Sequence, residues 1–130
     1  MIRNVLRWLP AAALALAACG GAAPPPVGPA PAPGQVYVDS TEILLMESYP
    51  VQVALLVRGH LPTPCHALLS QVGGPDAEGR IMVTLSSEAP PDVVCVQVLE
   101  LFEERIPLGS YTDGDFTVWL NGEQIGTIEL

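Results

Sequence analysis

Apolar and polar residues alternate along several short stretches from residue 51 onwards. Residues 51–58, VQVALLVR, carry an apolar side chain at every second position, and so do residues 80–86, RIMVTLS. A period of two turns one face of a β-strand inward. The turn-forming residues GGPDAEG, 73–79, separate the second stretch from an apolar run at 67–72. The pattern predicts strands, with 67–72 and 80–86 paired across this turn.

The C-terminal stretch DFTVWLNGEQIGTIEL predicts a β-hairpin. Asn121-Gly122 suits the two positive-φ positions of a type I′ turn. A two-residue loop places Val118 opposite Ile125. The later apolar residues fall out of this alternation, which predicts a bulge at Gly126.

Residues 93–106, VVCVQVLELFEERI, fit two structures. Val94, Val96 and Val98 have the spacing of a strand, whereas helical spacing also links Val94 and Val98 to Leu101. The β-branched start and the prolines on both sides favour a long strand.

With a further strand in STEILLMES, 40–48, about seven strands fall within residues 35–130. This number and spacing predict an all-β domain, an immunoglobulin-like two-sheet sandwich.

The first eighteen residues have the parts of an export signal. Arg3 and Arg7 precede an apolar run from Trp8 to Ala18 that ends in small residues. Eleven residues of helix rise about 16 Å, less than the hydrocarbon core of about 30 Å. We therefore expect residues 1–18 to be a signal peptide and not a permanent transmembrane helix.

Leu16, Ala17, Ala18 and Cys19 resemble a bacterial lipobox. The resemblance implies that lipid is attached to the Cys19 thiol and that the chain is cut just before it. Several acyl chains on one residue hold a protein stably in a bilayer. Gly20 stands where an aspartate often retains such lipoproteins at the inner membrane. The resemblance thus implies an exported protein, anchored to the cell envelope in the outer membrane or on the outer face of the cell membrane.

Residues 20–34 contain six prolines, four glycines and no charge. Such a segment cannot bury enough apolar surface to fold, and proline favours an extended chain. At about 3.1 Å per residue it reaches on the order of 45 Å. We therefore expect residues 19–34 to be a lipidated cysteine and a linker, and residues 35–130 to be the domain.

The chain after residue 18 is strongly acidic. Fourteen acidic residues face three arginines there, a net charge of −11. A polyanion does not neutralise phosphates, so nucleic acid and an anionic membrane surface are poor partners.

Two cysteines remain once Cys19 is assigned to lipid. Cys65 and Cys95 form an even pair in an exported, oxidising setting, which predicts a disulfide. The alternative is a metal site, because His60, Cys65 and His66 are close in sequence. Oxidation of Cys65 would remove the thiolate that zinc requires, so we expect no metal and no cofactor.

The acidic residues offer two further alternatives. Asp113 and Asp115 flank a glycine as calcium ligands can, but the twelve-residue loop with its terminal glutamate is missing. Glu100, Glu103 and Glu104 could supply the carboxylate pair of a glycosidase, but so small a domain has little room for a cleft. We expect no enzyme, since no nucleophile and base are spaced for catalysis.

Residues 41–130 as a whole resemble an uncharacterised family of bacterial exported domains. The resemblance lies in SYPVQVALLVRGHLPTPC, a second cysteine thirty residues later, FEERIPLG and GDFTVWLNGE. It implies a β fold and the Cys65–Cys95 disulfide, and it implies no activity.

Two functions of different class fit these expectations. The first is a non-catalytic protein-binding or structural module at the envelope, with membrane lipid as a partner through Cys19 and an unknown envelope or extracellular protein as another. We expect its binding surface at the open edge beside the terminal hairpin or at the loops around Cys65. The second is a cell-envelope protease inhibitor that inserts GHLPTP, 59–64, or GGPDAEG, 73–79, into a protease.

We predict that Cys19→Ser releases the protein from membranes or leaves it unprocessed. Intact mass of the membrane-bound protein should show loss of residues 1–18 and a gain of acyl mass, while Cys65→Ser should keep the anchor. A mature protein that begins elsewhere and carries no lipid would contradict the lipobox assignment.

Overall fold

The computed structural model describes residues 20–21 and 34–130. The predicted signal peptide, Cys19 and most of the predicted linker lie outside the described residues. Seven β-strands account for the ordered elements of the described part, which contains no helix. They are β1 Tyr37–Leu45, β2 Val51–Leu61, β3 Ala67–Gly73, β4 Arg80–Glu88, β5 Glu100–Tyr111, β6 Asp115–Leu120 and β7 Glu123–Glu129. Among the described residues we find no helix of the length and hydropathy that crossing a bilayer requires.

The strands form two sheets, one of three strands in the order β1-β2-β5 and one of four in the order β3-β4-β6-β7. The predicted all-β sandwich of seven strands in two sheets is confirmed, as is the pairing of β3 with β4. One pair, β4 with β6, runs parallel, whereas the sheets of immunoglobulin domains are antiparallel. A parallel neighbour requires a crossover. Here the chain makes it through β5 in the opposite sheet.

The core consists of the alternate residues that face between the sheets. Strand β2 supplies Val53, Leu55 and Val57, and β4 supplies Ile81, Val83 and Leu85, as the alternation predicts. The other strands add Ile106, Leu108, Val118, Leu120 and Ile128. Each buried aliphatic side chain stabilises the fold by about 1.5–3 kcal/mol relative to an exposed one.

The long strand predicted from residue 93 is wrong in its first part. Residues 93–99 form neither a strand nor a helix, and β5 begins only at Glu100. This stretch connects β4 in one sheet to β5 in the other, and a disulfide at Cys95 holds it. Its valines are exposed. A segment that must cross between the two sheets cannot extend a ladder in either one, whatever its β propensity.

The terminal hairpin is confirmed, with a bulge one step earlier than predicted. Asn121 and Gly122 have φ values of 48° and 85°, as a type I′ turn requires. The register shifts so that Val118 lies opposite Gly126 and not Ile125. A Cβ on Gly126 would lie 2.5 Å from the Cδ1 atom of Ile43, so β7 approaches β1 closely at this bulge.

The predicted disulfide between Cys65 and Cys95 is present, with Cα atoms 6.1 Å apart. Cys65 lies in the turn between β2 and β3, and Cys95 lies five residues before β5. The bond therefore fastens the segment that crosses between the sheets.

The β3–β4 turn is held by one carboxylate. The backbone N–H groups of Glu78 and Arg80 donate to Asp76 Oδ1 at 3.0 and 2.9 Å, and Arg80 Nε donates to Asp76 Oδ2 at 2.7 Å. These hydrogen bonds, the backbone N–H of Arg80 first among them, hold the pKa of Asp76 below its ordinary value. Three hydrogen bonds to one side chain thus hold a turn that is exposed to solvent.

We predict that Cys65→Ala and Cys95→Ala each lower the free energy of unfolding by about 2–5 kcal/mol, because the bond constrains a long loop of the unfolded chain. Denaturant unfolding measures the effect. The double variant should lose no more than either single variant. Two additive losses, or none, would contradict a structural disulfide.

We predict that Asp76 contributes stability that depends on pH. Since folding lowers the pKa of Asp76, its contribution is complete above the ordinary carboxyl pKa of about 3.9. It disappears as the pH falls through the lower value of the folded state. Asp76→Asn should therefore be less stable than the parent at pH 7, and the gap should close on acidification. Glu129→Gln serves as the control, and a gap that is constant with pH would contradict the prediction.

Candidate binding surface

Five strand ends meet at the end of the sandwich that holds the disulfide. Strands β2 and β4 end there, and β1, β3 and β5 begin there. Gly34 and Gln35 are fastened to the same end, since Ser87 N donates to Gly34 O at 3.1 Å and Ser87 Oγ donates to Gln35 O at 2.7 Å. The chain therefore enters the domain beside the disulfide.

An apolar loop, residues 93–99, protrudes at this end. Val94 is fully exposed, and Val96, Val98 and Leu99 are more than half exposed. The loop contains no charged side chain. Within the loop, Val98 N donates a hydrogen bond to Val96 O, and the Gln97 side chain donates one to Cys95 O. The disulfide thus holds a loop whose apolar side chains are exposed to solvent.

The two sheets do not match in width. Strand β1 lies over β7, where Ile43 approaches Gly126, and Tyr111 of β5 stacks against Phe116 of β6 with ring centroids 4.5 Å apart. Counted from β7, three strands reach β6 and β4 but not β3, and the inward residues Ser70 and Val72 of β3 are exposed. In the described part of the chain no strand is opposite β3.

The inner face of β3 is open as a result. Leu68, Ser70 and Val72 pair with buried residues of β4 and so point to the same side as the core. Val72 is nevertheless 39% exposed, whereas Val83 beside it is 1% exposed. Leu68 is half-buried against the core.

The free edge of β5 borders this face. Strand β5 pairs with β2 on one side only. We call the free edge of β5 and the inner face of β3 the open flank. Glu104 lies at it: its neighbour across the ladder is the buried Val57, so Glu104 is on the inner side of its sheet, and yet it is exposed.

The three glutamates that could have formed a glycosidase pair do not share a face. Glu103 lies on the outer face of its sheet and forms an ion pair with Arg58. Glu100 and Glu104 alternate with it and lie on the inner side. The structure does not bring the three carboxylates together.

The histidines are engaged in separate contacts. His60 Nδ1 lies 2.8 Å from a carboxylate oxygen of Asp39, and His66 Nδ1 lies 2.7 Å from the Thr63 hydroxyl. With Cys65 in a disulfide, the trio considered for metal binding is not assembled. No group of three or more potential metal ligands occurs among the described residues.

The other surfaces predicted from the sequence differ in how far they are exposed to solvent. Residues 59–61 of GHLPTP belong to β2 and Thr63 is buried, so this stretch does not protrude. Residues 73–78 are exposed, in the turn whose backbone donates hydrogen bonds to Asp76. The turn with Asp113 and Asp115 holds the C-terminus through backbone bonds between Gly114 and Leu130. The edge beside the hairpin is open at β7, but the inner face there is covered, since Ile128 is 1% exposed.

Sequence reasoning named the loops around Cys65 as a binding surface, but it placed residues 93–99 in a strand and missed the open flank. Alternation assigns Leu68 and Val72 to an inner face. It does not reveal that the opposite sheet is one strand narrower. The only signal is the polar Ser70 between them, at an inward position of a strand that would otherwise be fully buried.

No curated protein and no solved structure matches the chain. The model of a family described as the ORF11 beta-sandwich domain matches residues 55–130, which is more than half of the chain and runs from within β2 to the C-terminus. The matched region contains both cysteines of the disulfide, the apolar loop and the open flank. The chain belongs to the ORF11 beta-sandwich domain family.

Proposed function

We propose that the protein is a non-catalytic protein-binding module, held at the bacterial cell envelope by lipid on Cys19. The observation that carries the proposal is the uncovered apolar surface at the disulfide end. A domain of this size gains stability by burying apolar side chains. It nevertheless presents five exposed apolar residues of the apolar loop, Val93 among them, and a disulfide at Cys95 holds the loop.

The arrangement of this end supports presentation to a neighbouring protein. Gly34 accepts a hydrogen bond from Ser87 near the end of β4, and the apolar loop begins five residues after that strand.

The non-catalytic part of the proposal is supported by two observations. No three potential metal ligands lie together among the residues that the structure describes. Neither histidine is placed beside a nucleophile and a base at once.

A second candidate, a cell-envelope protease inhibitor, is favoured by one observation. The turn at 73–79 is exposed and preorganised by Asp76. A loop that is rigid before binding loses less entropy in a protease cleft.

We predict that the apolar loop contacts a protein partner on intact cells. A photo-crosslinking amino acid at Val94 should give a discrete crosslinked species. The same amino acid at Glu129, in β7 of the other sheet edge, should give several-fold less. Because Val94 is fully exposed, its replacement leaves the core unchanged. Cys19→Ser should abolish the crosslink by removing the protein from the membrane.

Other outcomes separate the alternatives. Asp76→Asn should leave the Val94 crosslink intact if the protein is a binding module, and should weaken protease inhibition if the turn at 73–79 is inhibitory. Equal crosslinking at both positions would contradict the proposal. So would turnover of a peptide or glycan substrate that survives repurification and is lost on changing one carboxylate or histidine.

A further inference from the structure

The open flank has the dimensions of one missing strand. Neighbouring strands lie about 4.8 Å apart, and the four-stranded sheet is wider than the three-stranded sheet by one strand, β3. A strand added beside β5 would therefore lie over Leu68, Ser70 and Val72. It would convert a sandwich of three strands on four into one of four on four.

The backbone of β5 can accept such a strand over a limited length. From Glu100 to Ile106, each residue of β5 pairs with β2 on one side only. Alternate N–H and C=O groups of an edge strand point away from its one neighbour and offer a template for another. Pro107 has no N–H, and the register shifts between Val53 and Ala54 on the facing strand. The accessible ladder therefore spans residues 100–106.

The side chains around the flank specify the inner face of the incoming strand. The inner side of the flank carries three apolar residues that are partly buried or exposed, Leu68, Val72 and Phe102. An incoming strand should therefore have apolar residues at alternate positions, where they would pack against these side chains. Glu104 is the exception, a carboxylate on the same side. A strand that covers the flank would take Glu104 out of water, and a buried charge needs a partner of opposite sign.

A second copy of the chain does not meet this requirement. Self-pairing of β5 would place Glu100, Glu103 and Glu104 of two copies in one short ladder, between domains whose net charge is −11. Like charges across a ladder are destabilising. Of the three arginines of the domain, Arg58 and Arg80 already contact carboxylates. Arg105 lies in β5, but it alternates with the buried Ile106 and so is on the outer face, away from Glu104 on the inner side.

We infer that the open flank accepts an extended segment of another protein as a fourth strand beside β5, with apolar residues and one Lys or Arg on its inner face, the basic residue opposite Glu104. This inference goes beyond the proposed function, because the open flank is a surface separate from the apolar loop, and it names the chemistry of the partner. Main-chain hydrogen bonds along β5 supply the docking, and the pair with Glu104 supplies the selectivity.

Two peptides of identical composition test the inference. In Thr-Val-Thr-Lys-Thr-Val-Thr-Val-Thr the lysine shares a face with the valines, and in Thr-Val-Lys-Val-Thr-Val-Thr-Thr-Thr it lies on the opposite face. Labelled peptides are titrated with the full chain in detergent and followed by fluorescence anisotropy. The first peptide should bind and protect amides of residues 100–106 from hydrogen exchange, and the second should bind about fivefold more weakly, the size of one cross-strand charge pair.

A charge reversal distinguishes this pairing from general attraction to an acidic protein. Glu104→Lys should lose the lysine peptide and bind the peptide with glutamate in place of lysine. Glu129→Lys makes the same change of net charge on β7 and should leave the preference for lysine unaltered. Equal effects of the two variants, or protection of amides elsewhere, would overturn the inference.

Two more results would overturn it without touching the proposed function. One is the absence of peptide binding while the Val94 crosslink persists on cells. The other is a dimer of the chain alone in which amides 100–106 are protected, since a second copy would then be the occupant. If the peptide binds as described and no crosslink forms at Val94, the proposal for the apolar loop fails and the strand position stands.

Discussion

The structure depends on the packing of a three-stranded sheet against a four-stranded one. Eleven buried aliphatic residues fill the space where the sheets overlap, and their burial is the main source of stability. The overlap ends at β4. Beyond it β3 is held by its ladder to β4 and by Leu68, with Val72 partly in water. The width of the smaller sheet thus determines both the core and the open flank.

The crossover between sheets explains the disulfide and the apolar loop together. Strands β4 and β6 are parallel neighbours, so the chain must leave the sheet after β4, run through β5 and return. Residues 89–99 make the first crossing without a ladder to hold them, and the bond from Cys95 to Cys65 replaces that ladder. After the chain has returned to this sheet as β6, Asn121 follows it in the turn to β7. Its side-chain Oδ1 accepts a hydrogen bond from Leu85 N of β4 at 2.8 Å. One residue thus forms the hairpin turn and fastens it to β4.

The sequence predicts those parts of this fold that local pattern controls. Strands β2, β4 and β6 show the period of two because one face of each is fully covered, and the Asn121-Gly122 turn follows from its need for positive φ. The disulfide follows from the even count of cysteines once Cys19 is set apart. Where topology overrides local preference, the prediction fails. Val94, Val96 and Val98 favour a strand, but the crossing between sheets places them in a loop.

The open flank belongs to a third kind of feature, which no single strand encodes. It arises from a difference in strand number between two sheets, and the strand orders that create it depend on contacts far apart in sequence. Only exposure at inward positions such as Ser70 and Val72 reveals it.

Glu104 gives the open flank its chemical character. An inward-pointing charge on an edge strand is a common protection against unwanted pairing, because a strand that covers it must desolvate the charge. The desolvation of Glu104 therefore weakens the binding of an apolar or acidic strand. A strand that places a cation next to the carboxylate offsets this cost. In the inferred complex the same carboxylate would oppose pairing of two copies of this acidic domain and favour a basic strand. Protection against unwanted strand pairing and recognition of a basic strand would thus both follow from the one charge of Glu104 at the edge of its sheet.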